Sequence, residues 1–143
     1  MKLNVVDGQL TNHFNISEFC HNGELYIDER FLDFVNCLED FRVWYKRPVN
    51  ITSGYRPTAF NKAVGGSSNS SHLVSLAVDF HYPAEYFKFD DKRKDEFLTN
   101  VRLKWARLCV KYGYTGQTNF YDNRFHLGFS LNGKYSFRDE RSK

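Results

Sequence analysis

Residues 117–129, QTNFYDNRFHLGF, alternate in polarity on both sides of Asp122-Asn123. Alternation of period two sends successive side chains to opposite faces of a strand. Asp-Asn is a pair that tolerates the positive φ of a two-residue hairpin turn. A hairpin centred there sets Phe120 against Phe125 and Thr118 against Leu127, so one face is consistently apolar. The other face carries Gln117, Asn119, Tyr121, Arg124, His126 and Gly128, with His126 across from Asn119.

A sheet with one apolar face must bury it against another layer, and two segments have the pattern to supply that layer. In residues 28–46, Phe31, Val35, Leu38, Phe41 and Tyr45 recur at steps of three and four, with acidic residues in the first turn and Pro48 beyond the end. In residues 92–112, Phe97, Val101, Trp105, Leu108 and Tyr112 do the same, and Gly113 closes the segment. Both read as amphipathic helices. Shorter elements fill the rest: a helix entry at 15–20 with Ser17 as N-cap, a strand in VNITSGY, and a short helix in PTAFNKAV between Pro57 and the Gly65-Gly66 pair. In LAVDFH, Leu76, Val78 and Phe80 point one way while Ala77, Asp79 and His81 point the other, which puts Asp79 on a non-core face. The expected fold class is α+β: a small, mainly antiparallel sheet with two long helices packed on one face, in a single domain over residues 1–143, with the tail RDERSK frayed.

Composition fits such a domain. Of 143 residues, 41% are hydrophobic and 17% aromatic, enough to bury a core without crosslinks. Twenty Lys and Arg against seventeen Asp and Glu give +3, with no block of like charge to make a nucleic-acid arm, so no nucleic-acid partner is expected. There is no run near the ~20 apolar residues of a membrane span and no signal-peptide pattern at the start. The expectation is therefore synthesis in a cytoplasm without export signal or membrane insertion, as a monomer. Cys20, Cys37 and Cys109 are odd in number and lack CxxC spacing, and they read as buried free thiols.

Three side chains have the chemistry of metal ligands: His72 where a Ser-rich loop meets a strand, Asp79 on that strand's polar face, and His126 on the hairpin's polar face. Two imidazoles and one carboxylate with a fourth position open is a donor set used by catalytic zinc. On its own a His-x6-Asp spacing also arises by chance. The residues around it are more specific: Ser53-Gly54-Tyr55-Arg56-Pro57, Asn61, Gly65-Gly66, Ser70, His72 and Asp79 form an ordered string, with FNISEF before it and FHLGF after.

That string resembles the M15 family of zinc D-Ala-D-Ala peptidases, above all its small phage-associated branch of peptidoglycan-cleaving domains, over residues 14–130. The resemblance implies the fold shared by D-Ala-D-Ala peptidases and hedgehog-like domains, a zinc cofactor on His72, Asp79 and His126, and Arg56 steadying the developing oxyanion or a substrate carboxylate. It implies Ser70 near the substrate's terminal carboxylate, and Gly65 and Gly66 shaping the turn that delivers the loop. From the residues alone, Arg56 serves equally as partner to a surface carboxylate, and Asn61 reads as a structural hydrogen-bonder.

Two departures stand out. Ser75 occupies a position where relatives carry Gly. Asn123 occupies the position of the general base, three residues before the last His, and Gly128 the alternative acidic position two residues after it; Asn cannot take a proton. Asp122 is the nearest carboxylate and the candidate base, with Tyr121 a candidate to polarise substrate. The expected function is zinc-dependent hydrolysis of peptidoglycan stem peptides beside a D-amino acid, in a phage lysis or entry protein reaching the wall through a holin or on a virion. The alternative is a zinc-holding but inactive wall-binding or virion structural module.

Overall fold

The computed structural model describes residues 1–142. Ten regular elements follow in order: β1 Lys2–Asn4, β2 Glu24–Tyr26, α1 Phe31–Tyr45, β3 Ile51–Ser53, α2 Thr58–Ala63, β4 Ala77–His81, α3 Asp91–Lys111, β5 Gly116–Phe120, β6 Arg124–Phe129 and β7 Ser136–Asp139. Short 3₁₀ turns lie at Ile16–Phe19, Ser71–Val74 and Ala84–Lys88. The main sheet runs β3-β4-β6-β5-β7, antiparallel except for the parallel pair β5 and β7, and β1 and β2 form a separate ribbon. The fold is α+β.

The β5–β6 hairpin has the register its alternation dictates: Thr118 pairs with Leu127, Asn119 with His126 and Phe120 with Phe125. Val78, Phe80, Phe125, Leu127 and Phe129 are fully buried on one face, against α1 and α3. Phe34 meets Phe129 edge-on at 5.1 Å, and Phe41 lies 6.2 Å from Phe80 and 6.1 Å from Trp105. Rings at these spacings in edge-to-face contact add to the hydrophobic gain of burial. The Trp105 indole N–H donates to the Gly128 carbonyl at 3.0 Å, which removes the cost of burying it. Tyr82 and Tyr86 join this core beside Phe125, while Phe87 is half exposed.

Several expectations give way to tertiary structure. Residues 138–142 of the tail expected to fray are held in place, Lys143 lying outside the described residues: Arg138 and Asp139 belong to β7, and Arg141 pairs with Asp139 and Asp95. The hairpin turn takes no positive φ at Asp122 or Asn123, because Ser142 and Tyr82 hold it from outside: Ser142 donates to the Asp122 carboxylate, and the Tyr82 N–H donates to the Asn123 carbonyl. Asn15 rather than Ser17 caps the first 3₁₀ turn, with the Glu18 carboxylate accepting from the Asn15 N–H at 2.7 Å. Cys37 and Cys109 are buried free thiols, but Cys20 is only half-buried.

Ser75 turns the chain into β4 with φ +63, a left-handed conformation costly for a residue with a Cβ, and its buried hydroxyl has no hydrogen-bond partner. Replacing it with glycine removes both costs. Relief of strain and of an unpaired hydroxyl, offset by glycine's extra freedom in the unfolded chain, gives a net gain of about 1 to 2 kcal/mol for Ser75→Gly. Calorimetry of the metal-free protein should show melting roughly 3–8 °C higher.

Candidate active site

β4 and β6 are adjacent, and their register sets Asp79 directly opposite His126. The third member arrives from the connection between α2 and β4. His72 sits on the 3₁₀ turn Ser71–Val74, whose first residues are tied down twice: the Ser70 hydroxyl oxygen accepts from the His72 N–H at 3.2 Å, and the Ser71 hydroxyl donates to the Phe129 carbonyl of β6 at 2.7 Å. The Arg56 N–H donates to the His72 carbonyl at 3.0 Å, joining the turn to the segment after β3. The loop before it is shaped by Gly65, at φ +75, and by Gly66, where a Cβ would sit 2.0 Å from the Asn61 Oδ1. Asn61 in turn donates to the Ser67 carbonyl at 2.8 Å, the structural role its sequence suggests.

Asp79 is not on an open polar face. It is 3% exposed, as this loop and the Arg56 segment lie over the sheet at that point, and His72 and His126 are buried with it.

Each ring is oriented by a hydrogen bond on its far side. The His72 Nδ1–H donates to the Gly54 carbonyl at 2.7 Å, leaving Nε2 to face Asp79 Oδ1 at 3.2 Å. The His126 Nε2–H donates to Gln117 Oε1 at 2.9 Å, leaving Nδ1 to face the same carboxylate oxygen at 3.0 Å. Two imidazole lone pairs and a carboxylate, all acceptors, thus converge, which is stable only with a cation or proton between them. One ligand atom from each residue lies within 4.8 Å of the others. Ligands about 2.0–2.1 Å from a tetrahedral zinc stand about 3.3 Å apart, close to the observed separations, so the residues fit a zinc ion. Outer hydrogen bonds of this kind set the tautomer and orientation of metal-binding histidines.

Electrostatics agree. Burial pushes the Asp79 carboxyl up, but its close contacts with His126 and His72 outweigh that, holding the group well below the usual carboxylate range. Burial holds the His72 ring below its ordinary value, so it stays neutral and able to bind metal at lower pH than a free imidazole. Arg56 donates from Nη2 to Asp79 Oδ2 at 2.8 Å and from Nε to the Ser53 hydroxyl at 3.0 Å. Its partner is therefore the buried Asp79 carboxylate, and it fixes which oxygen of Asp79 turns to the rings.

The remaining expected residues divide. Ser70 and Tyr121 line the large open cleft that leads to the trio. Asp122 does not: it is exposed, and its carboxylate accepts from the Ser142 N–H at 2.7 Å and hydroxyl at 2.8 Å. Asn123 also lies outside the cleft lining. At Gly128 a Cβ would be 3.0 Å from the Ala77 Cβ and 3.2 Å from Gln117 Oε1, so the place where a side chain would stand is filled by Gln117.

Sequence reasoning missed two residues here. Gln117 was visible only as a polar residue on the His126 face, across from Gly128. Arg124, on the same face, stacks its guanidinium 4.1 Å from the Tyr121 ring centre and brings Nε to 3.9 Å from Asp79 Oδ2. Loss of the outer partner of a ligand typically weakens metal binding 10- to 100-fold. That loss is expected for Gln117→Leu in a competition titration with a chelating dye, with little change in melting temperature of the metal-free protein.

A family model described as Peptidase M15 matches residues 10–120. Comparison with curated proteins gave no match.

Proposed function

The chain belongs to the M15 peptidase family, and from that premise we propose that it is a zinc peptidase that hydrolyses peptidoglycan stem peptides at a bond beside a D-amino acid, as part of a phage lysis or entry protein. The observation that carries the reading is the convergence of His72 Nε2 and His126 Nδ1 on Asp79 at the floor of an open cleft.

A zinc ion held by His72, Asp79 and His126 would supply Lewis acidity, enough to polarise a carbonyl and to make water acidic near neutral pH. The chain's own residues supply the rest. Gly54 and Gln117 hold the rings in their ligating tautomers, and Arg56 holds the carboxylate. Ser70, at the cleft wall, offers its hydroxyl to the end of a bound peptide, and Arg124 offers positive charge where negative charge develops on a substrate oxygen.

The proton released by the attacking water has no dedicated acceptor. Of the other cleft carboxylates, Glu18 sits on the first 3₁₀ turn, bound to the Asn15 N–H, and Glu140 lies just past the end of β7, two strands from His126. The proton passes to solvent, and the reaction forgoes the 10²–10⁴-fold that a positioned base contributes. A second reading rests on this same feature: a domain that holds zinc and binds wall peptides without turning them over.

Mass spectrometry of peptidoglycan fragments incubated with zinc-loaded protein tests the proposal. Slow, chelator-sensitive release of peptides of defined mass is expected. Asp122→Ala should cleave within about twofold of the parent, since its carboxylate serves the turn and tail. No product from any wall type, with zinc retained, sinks the enzyme and leaves the binding module.

A further inference from the structure

The register of the main sheet lines up one residue from every strand in a row across its cleft face: Ser53, Asp79, His126, Asn119 and Arg138. At one end of the row, Arg56 is bonded to Ser53 and Asp79. At the other end is Arg138, on the edge strand β7, exposed and lining the same cleft. Strands lie about 4.8 Å apart, so the Arg138 backbone stands about 10 Å from that of His126. An extended chain covers about 3.3–3.6 Å per residue, and the distance therefore corresponds to some three residues of a substrate laid across the strands.

The two arginines are differently engaged. Both donor groups of Arg56 described above are committed to the protein. The Arg138 guanidinium makes no hydrogen bond, ion pair or ring contact among the described residues, and neither does the ammonium group of Lys134 on the loop before β7, which also lines the cleft. Glu140 follows Arg138 by two residues in the cleft and does not pair with it. A planar guanidinium with its fork free suits a carboxylate.

We infer that Arg138, aided by Lys134, is a second anion-binding position of the cleft, which selects peptides carrying a free carboxylate about three residues from the scissile carbonyl. The inference rests on the peptidase reading for the placement of the scissile bond. Along a stem peptide the matching group is the free carboxylate of a γ-linked glutamate, which some walls leave as the acid and others amidate. The cleft thus discriminates between acidic and amidated walls.

The test uses two synthetic stem peptides that differ only in that carboxylate, acid or amide, titrated calorimetrically into zinc-loaded protein, with cleavage followed separately. The parent should bind the acid about tenfold more tightly. Arg138→Gln should abolish the preference by weakening the acid form alone, and Arg138→Lys should keep most of it. Equal affinity of the parent for both peptides, no measurable binding of the acid form, or equal weakening of both by Arg138→Gln overturns the inference. Cleavage of both peptides without preference leaves the peptidase and removes the subsite. Preference in binding without cleavage does the reverse.

Discussion

Asp79→Ala should emerge from purification without zinc, inactive, and markedly less stable even when compared with metal-free parent protein. Three groups depend on this carboxylate: the buried His72 and His126 face Oδ1, and the partly buried Arg56 donates to Oδ2. Removing it takes away one of the three side chains proposed to hold zinc. It also leaves the Arg56 guanidinium, whose side chain is only 15% exposed, without its counter-charge. Breaking a buried pair from one side typically costs 3–5 kcal/mol, because the stranded charge has lost its hydration and its partner together. Denaturant unfolding of both proteins in chelator should show a loss near that size, and Asp79→Asn, which keeps a hydrogen-bond acceptor, a smaller one.

The same carboxylate gives the metal-free parent a pH signature. Its folded-state pKa is depressed, so its contribution to stability is fully present above the ordinary value of about 4 and drains away as pH falls below it. In Asp79→Ala that acid limb of the stability curve should be missing. A variant with the parent's acid profile would mean that Asp79 is not the centre of the cluster.

Gly54→Ala is the second large effect, and it arises from backbone alone. An added Cβ would lie 2.7 Å from the Phe19 carbonyl oxygen and 2.9 Å from its Cα. Neither atom can swing aside, since the Phe19 carbonyl is already bonded to the Tyr55 N–H at 2.8 Å and the Phe19 side chain is buried. The first 3₁₀ turn must therefore separate from the chain after β3, at a cost of about 3 kcal/mol or more. The same residue's carbonyl orients His72, so displacement reaches the site. Melting should fall by roughly 10 °C, and zinc affinity 10- to 100-fold. The pairing of the two losses is the informative part: lower stability with unchanged zinc affinity would show that the His72 tautomer does not depend on this carbonyl.

The hairpin, the two long helices and the α+β class were legible because each rests on local periodicity. The turn position fixes the β5–β6 register, and the register places His126. The pairing of β7 was hidden because it is a short strand joined in parallel to β5, a non-local contact with no turn signature of its own. The burial of Asp79 was hidden for a related reason. Alternation tells which face of β4 it occupies, and only the tertiary path of residues 54–72 covers that face. Asp122 is next along the chain to the position expected for the base. The fold spends it on the turn and tail, a competition that sequence spacing cannot register. Gln117 became legible only once Gly128 was seen to have no room for a side chain.

X-ray absorption of zinc-loaded protein at one equivalent measures the central claim most directly. The expected result is a four-coordinate zinc with two imidazole ligands, every atom bound to it being nitrogen or oxygen at about 2.0–2.1 Å, and loss of the imidazole signature in His72→Ala. Sulfur ligation at about 2.3 Å, or an unchanged spectrum in that variant, would place the metal elsewhere and contradict the assignment of His72, Asp79 and His126.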